Sequence, residues 1–164
     1  MNDEKLELKF VLEIIKSRYG SWESPNFDFV STSLSHSPYA TIVAELSSRY
    51  QVEEEMDVND DVSFGYLISD FSSRWFLQIS MLAPWALLMR IYDNGLSVVE
   101  LNEELSSTES NITDILQRSN IKLLGKSLLS LPVPLHLHNT DPGSVRIYQA
   151  VFSDTEVLPW AREA

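Results

Sequence analysis

The sequence predicts an α+β domain: N-terminal helices, a central antiparallel sheet of about four to five strands, a C-terminal helix and a closing strand. Three observations predict it. Apolar residues recur at helical spacing over residues 3–19. From residue 62 to residue 82 they alternate with polar ones, and apolar runs separated by turn residues continue to residue 101. Helical spacing then returns after Ser107. No repeat, low-complexity linker or shift in composition divides the chain, so residues 1–164 read as a single domain.

The first helix covers residues 3–19. Leu6, Phe10, Val11, Ile14 and Ile15 carry its apolar spacing, and Gly20 stands where a helix stops. Residues 21–37 are Ser-rich and read as a loop, with one short extended piece at Phe27–Val30. A second helix is expected from Ser37, with Ser37 as N-cap and Pro38 in the first helical position, where a missing N–H costs nothing. Tyr39, Ile42, Val43 and Leu46 form its apolar side, and it frays near Tyr50.

An acidic loop follows. Residues 51–61 hold six acids and no base: Glu53, Glu54, Glu55, Asp57, Asp60 and Asp61. Val62, Phe64, Tyr66 and Ile68 then alternate with small polar residues, the period of a half-buried strand. After the turn at Asp70–Ser73, Trp75, Leu77, Ile79 and Met81 alternate again, so 62–69 and 74–82 make a hairpin. Pro84 breaks that run because it cannot donate to a ladder. Trp85–Tyr92 is the third strand and Leu96–Leu101 the fourth. Between them Asn94-Gly95 is a hairpin signal, since both residues tolerate positive φ.

Thr108 or Ser107 caps the next helix, with Ile112, Ile115 and Leu116 on one face. Ile121–Leu124 is extended, and Lys126–Leu131 is a helical turn ended by Pro132. Asp141-Pro142-Gly143 is a turn. Val145, Ile147 and Val151 predict a closing strand, and the tail VLPW carries a Trp in need of burial.

Composition narrows the function. With 44% hydrophobic and 22% charged residues, the chain has the makeup of a folded globular protein. Twelve bases against twenty-four acids leave a net charge of −12. Such a surface repels nucleic acid and anionic lipid; it attracts a basic protein or simply keeps the molecule in solution. With no cysteine there is no disulfide, thiolate metal site or cysteine nucleophile. The N-terminal stretch MNDEKLELKFVLEIIK carries charges throughout and does not read as a signal peptide. The most apolar stretch, RWFLQISMLAPWALLMRIY, is interrupted by Arg74, Gln78, Pro84 and Arg90 and falls short of the roughly 18 residues of a membrane span. A cytoplasmic location is the expectation.

No catalytic motif is complete. Gly125-Lys126-Ser127 ends like a phosphate loop, but Asn120 stands where its first Gly should be. Asp57-Val-Asn59-Asp60-Asp61 starts like a calcium loop, but Val62 and Ile68 replace the required Gly and Glu. His136 and His138 share a face if their segment is extended; the only other histidine is His36, in the Ser-rich loop. No metal, cofactor or catalytic residue is therefore assigned. The aromatics Phe64, Tyr66, Trp75, Phe76 and Trp85 could stack bases only in a positive groove, and Arg74 and Arg90 are the sole bases between residues 50 and 117, so they read as core.

The acids remain. Beyond Glu53–Asp61, a second set comprises Asp93, Glu100, Glu103, Glu104, Glu109 and Asp114. In a simple four-stranded meander the connection entering the first hairpin and the one leaving the fourth strand lie at the same end. They would merge into one negative face that steers a basic partner. The contacts expected are Glu53, Glu54, Glu55, Asp57, Asp60 and Asp61, with Glu100, Glu103 and Glu104 second.

In size, charge and layout over its whole length, and in the stretch NIKLLGKSLLSLPVPL, the chain resembles the immunity proteins of bacterial polymorphic-toxin and contact-dependent growth-inhibition systems. The resemblance implies a non-enzymatic inhibitor that binds and neutralises a cognate toxin domain, commonly a basic nuclease. It assigns no role to an individual residue. The alternative expectation is an adaptor or structural protein that oligomerises or scaffolds a partner. An enzyme centred on His136, His138 and a nearby acid comes third.

Overall fold

The computed structural model describes residues 2–162. The fold is α+β. Three helices come first: α1 (Asn2–Tyr19), α2 (Asp28–His36) and α3 (Ala40–Ser47). Five strands follow: β1 (Gln51–Glu54), β2 (Ser63–Ser69), β3 (Arg74–Ser80), β4 (Trp85–Tyr92) and β5 (Gly95–Val98). Then come α4 (Ser107–Arg118), the two-residue β6 (Lys122–Leu123), α5 (Lys126–Leu129), α6 (Ile147–Val151) and a 3₁₀ turn at Pro159–Arg162.

The sheet is an antiparallel meander in the order β1-β2-β3-β4-β5, and β6 adds one parallel pairing to the start of β4. Successive residues of a strand face opposite sides, and β4 is apolar at both parities, so apolar residues reach both faces of the sheet. Phe64, Tyr66, Ile68, Trp75, Leu77, Ile79 and Leu88 pack with α3 (Ile42, Leu46) and α4 (Ile112, Ile115, Leu116). Trp85, Leu87 and Met89 face the other way, against α1 (Val11, Ile15, Tyr19) and α6. A sheet covered on both faces needs near-continuous apolar strands, and β4 (WALLMRIY) is one. The aromatics expected in the core are there: Phe64, Tyr66, Trp75 and Trp85 are buried and Phe76 is half-buried. Trp160 is buried edge-on against Tyr148.

Several boundaries differ from expectation. The Ser-rich stretch contains α2 in place of the extended piece expected at Phe27–Val30; it fully buries no residue and sets only Phe29 and Val30 half-buried against the core, so its apolar side is short. Ser37 is not the N-cap of α3. It closes α2 in the left-handed conformation (φ 44°), its N–H donating to the Ser33 carbonyl, and Pro38 follows as it commonly does after a C-cap. The acidic run opens with strand β1, not a loop: Val52 is half-buried opposite Ile68, while charged neighbours decorate the edge. In the β4–β5 hairpin Asp93 and Asn94 form the turn, and the positive φ falls on Gly95 alone. β5 stops at Val98. Ser106, rather than Ser107 or Thr108, caps α4: its side chain accepts from the Glu109 N–H, and the Glu109 carboxylate accepts from the Ser106 N–H. The expected closing strand is helix α6, whose five residues are all buried, and a run buried on every side carries no decisive period.

Candidate functional site

The acidic run starts on the outermost strand. Glu53 lies opposite Leu67 and Glu54 opposite Tyr66, and β1 has no strand on its other side. Beyond Glu54 the chain crosses over β2. The Glu55 N–H donates to the Gly65 carbonyl at 2.8 Å. A Cβ on Gly65 would sit 2.2 Å from the Glu55 carbonyl oxygen and 2.9 Å from the Phe76 ring, so only glycine admits this crossing.

The six acids then divide by role. Glu53, Glu54, Glu55 and Asp57 are exposed, and none forms an ion pair among the described residues. Asp60 and Asp61 are half-buried and hold the loop in place. Asp60 accepts from Asn139 Nδ2 at 2.8 Å. Asp61 accepts from Ser153 Oγ at 2.5 Å and from the Asp57 N–H at 2.7 Å. Burial pushes the Asp61 carboxyl above its usual value; those two hydrogen bonds oppose the shift, and the charges of Asp57 and Asp60 add to it. Buried Asp154 completes the knot, accepting from the His138 and Asn139 N–H groups and from Thr140 Oγ1, each at 2.9 Å.

The second set is used internally. Glu100 accepts from the Lys126 N–H at 2.8 Å, and its carboxylate fills the space a Cβ on Gly125 would take. That carboxylate occupies the amide a phosphate loop would offer its ligand. Glu103 accepts from the Glu100 N–H, three residues back, at 2.9 Å and from Arg90 Nη1 at 3.2 Å. Glu104 is exposed. The two sets do not merge into one face: they belong to opposite edges of the sheet, and Glu103 turns back to Arg90. β1 and β5 are opposite edges of the strand path, about four strand spacings or ~19 Å apart.

Sequence reasoning missed three features. Glu109, only 3% exposed, is the centre of a buried polar group. It accepts from Arg90 Nε at 2.6 Å, Arg90 Nη2 at 3.0 Å and Trp75 Nε1 at 2.9 Å. Burial alone would raise its pKa; hydrogen bonds from Arg90, the Ser106 N–H and Trp75 outweigh that and hold it at about 2. The spacing Ser106-x-x-Glu109 was a legible capping box, but the Arg90 partnership is tertiary. The second feature is Phe71, fully exposed at the tip of the β2–β3 turn. The turn is pinned by Asp70, which accepts from the Ser72 and Ser73 N–H groups and from Thr108 Oγ1. The third is a solvent-facing apolar stripe on α1.

An open cleft of about 800 Å³ between the β3 and β4 ends and α4 is lined by Arg74, Arg90, Tyr92, Glu103, Glu104 and Glu109. Arg90 already commits its Nε–Nη2 fork to Glu109 and one Nη1 N–H to Glu103. His138 stacks on Phe27 and lines a smaller cleft of about 300 Å³ with Asp60, Asp61 and Asp154. His136 lies outside that cleft. Among the described residues no group of three His, Asp or Glu side chains is placed to hold a metal ion, and no helix is long and apolar enough to cross a membrane.

Compared with protein-family models, curated protein sequences and solved structures, the chain gives no match.

Proposed function

We propose that the protein is a stoichiometric inhibitor, an immunity protein that neutralises a cognate basic toxin domain by docking it on the β1 edge. One observation carries the reading: Glu53 and Glu54 on the outer strand, with Glu55 and Asp57 in the loop that leaves it, stand exposed and without ion pairs among the described residues, on a loop fixed by Asp60, Asp61 and Gly65. Uncompensated charge on a rigid support is suited to pairing with Lys and Arg that a nuclease otherwise turns toward phosphate. Charged residues on an edge strand also deter edge-to-edge aggregation. That role needs one or two charges, whereas here the acids continue past the strand into an ordered loop.

Glu104 remains available as a secondary contact, whereas Glu100 and Glu103 are committed within the chain. The test is coexpression with the C-terminal domain encoded by the open reading frame immediately upstream. Cell death with that domain alone, and survival when this protein is present, supports the inhibitor. Survival in both cases, or death in both, removes it and brings forward the adaptor reading, in which the same edge scaffolds a partner without neutralising it.

A further inference from the structure

The end of α1, the α2–α3 corner and the β3–β4 connection surround a cleft of about 300 Å³. The left-handed turn at Ser37 (φ 44°) takes the chain from α2 into α3. His36 and Ser33 of α2 and Tyr39 at the start of α3 therefore line one hollow. Arg18, in the last turn of α1, forms another side of it. Among the described residues that line it there is no carboxylate, whereas the clefts at Arg90 and at His138 each hold several. In a chain of net charge −12 the sign of this cleft is locally reversed.

Its polar groups are anchored and still have capacity to spare. Arg18 donates its Nε N–H to the Leu82 carbonyl at 2.7 Å, which holds the guanidinium in place. It forms no ion pair among the described residues, so its two Nη groups stay open as a fork. Such a fork matches two oxygens of a phosphate. The Arg18 charge also reaches the Tyr39 hydroxyl: burial pushes that group above its usual pKa, and Arg18 opposes the rise. His36 Nδ1 lies 2.7 Å from the Thr32 carbonyl. A carbonyl only accepts, so Nδ1 carries the proton and Nε2 is left for a ligand. In the neutral ring Nε2 accepts the O–H of a phosphate monoanion; in the charged ring it donates to a phosphate oxygen. Beside them α3 begins with no side-chain cap and no acid in its first turn, and its amide dipoles favour an anion there. The remaining wall is apolar, built by Met81, Ala83 and Pro84, and suits carbon attached to the phosphate. We propose that this cleft binds a small phosphate monoester, its phosphate on Arg18 and His36 and its organic group against Met81 and Pro84. The proposal goes beyond the inhibitor reading and stands without it.

The test is an NMR titration of the isotope-labelled full chain with phenyl phosphate and, separately, with inorganic phosphate, at constant ionic strength. Amide shifts should saturate and centre on Arg18, on the α2–α3 corner and on the β3–β4 connection. Phenyl phosphate should bind with a Kd of about 1 mM, and inorganic phosphate several-fold more weakly, because only the ester fills the apolar wall. Arg18→Gln should weaken phenyl phosphate by about tenfold or more, and His36→Ala by about threefold or more. Arg49→Gln makes the same charge change at an exposed arginine outside the cleft and should leave binding within about twofold. Should Arg18→Gln loosen the end of α1, His36→Ala still decides, since His36 is exposed and its ring bonds only within its own helix. No saturation up to about 20 mM would overturn the proposal, as would shifts scattered over the surface lysines. So would inorganic phosphate binding as tightly as phenyl phosphate, unchanged binding in His36→Ala, or an equal loss in Arg18→Gln and Arg49→Gln.

Discussion

Arg90 on β4 and Glu109 on α4 form a two-pronged ion pair, Nε to Oε2 at 2.6 Å and Nη2 to Oε1 at 3.0 Å, with the carboxylate almost wholly out of water. Trp75 and the Ser106 N–H complete the shell around that carboxylate. Because every lone pair of Glu109 is used, removing one partner strands the other. Arg90→Met should cost about 3–5 kcal/mol of stability, and Glu109→Gln somewhat less because the amide keeps one acceptor. Urea unfolding of both variants measures this; losses under about 1 kcal/mol would show the pair to be solvated.

The same carboxylate sets an acid limit. Glu109 has a pKa of about 2 in the folded protein against an ordinary 4.5. A lowered folded pKa gives stability that is fully present above 4.5 and is lost as the pH falls toward 2. The difference corresponds to roughly 3 kcal/mol. Stability measured from pH 6 to pH 2 should fall more steeply for the wild type than for Glu109→Gln. Parallel curves would remove Glu109 from the acid transition.

Gly65 holds the acidic loop in register. Gly65→Ala places a methyl against the Glu55 carbonyl oxygen and the Phe76 ring, two contacts too short to keep. The expected cost is about 1–3 kcal/mol, with amide exchange rising first in residues 51–61. Uniform exchange with no local loosening would contradict the crossing geometry.

Tyr19 ties α1 to α6, its hydroxyl donating to the Ala150 carbonyl inside the core. Tyr19→Phe leaves that carbonyl without its donor and should cost about 1–3 kcal/mol in thermal or urea unfolding. An unchanged midpoint would mean that another donor replaces the hydroxyl.

Much of this fold was written in local pattern. The hairpin of 63–80 follows from period-2 alternation broken at Asp70–Ser73, because a pleated strand sends alternate side chains to opposite faces, and the hairpin of 85–98 follows from apolar runs bounded by Pro84 and Asp93–Gly95. What escaped lacked such a pattern. The α2 helix sets only Phe29 and Val30 against the core, too short a stripe to show a helical period. β1 is an edge strand whose charges look like loop composition. α6 is buried on all sides, which erases the difference between helical and strand periods. At the candidate site, the exposed acids Glu53–Asp57 were visible as composition. That Asp60 and Asp61 brace the loop, and that Glu100 and Glu103 serve α5 and Arg90, depends on residues such as Asn139, Ser153 and Lys126 that are distant in sequence.

The most direct test of an acidic docking edge is the association rate with the upstream-encoded domain, by stopped flow, at low and at physiological ionic strength. A steered encounter should exceed the unsteered range of about 10⁵–10⁶ M⁻¹s⁻¹ at low salt and fall steeply as salt is added. Glu54→Lys with Asp57→Lys should remove most of that salt dependence while leaving the fold intact. A rate indifferent to salt, or one unchanged by the two reversals, would contradict docking on the β1 edge.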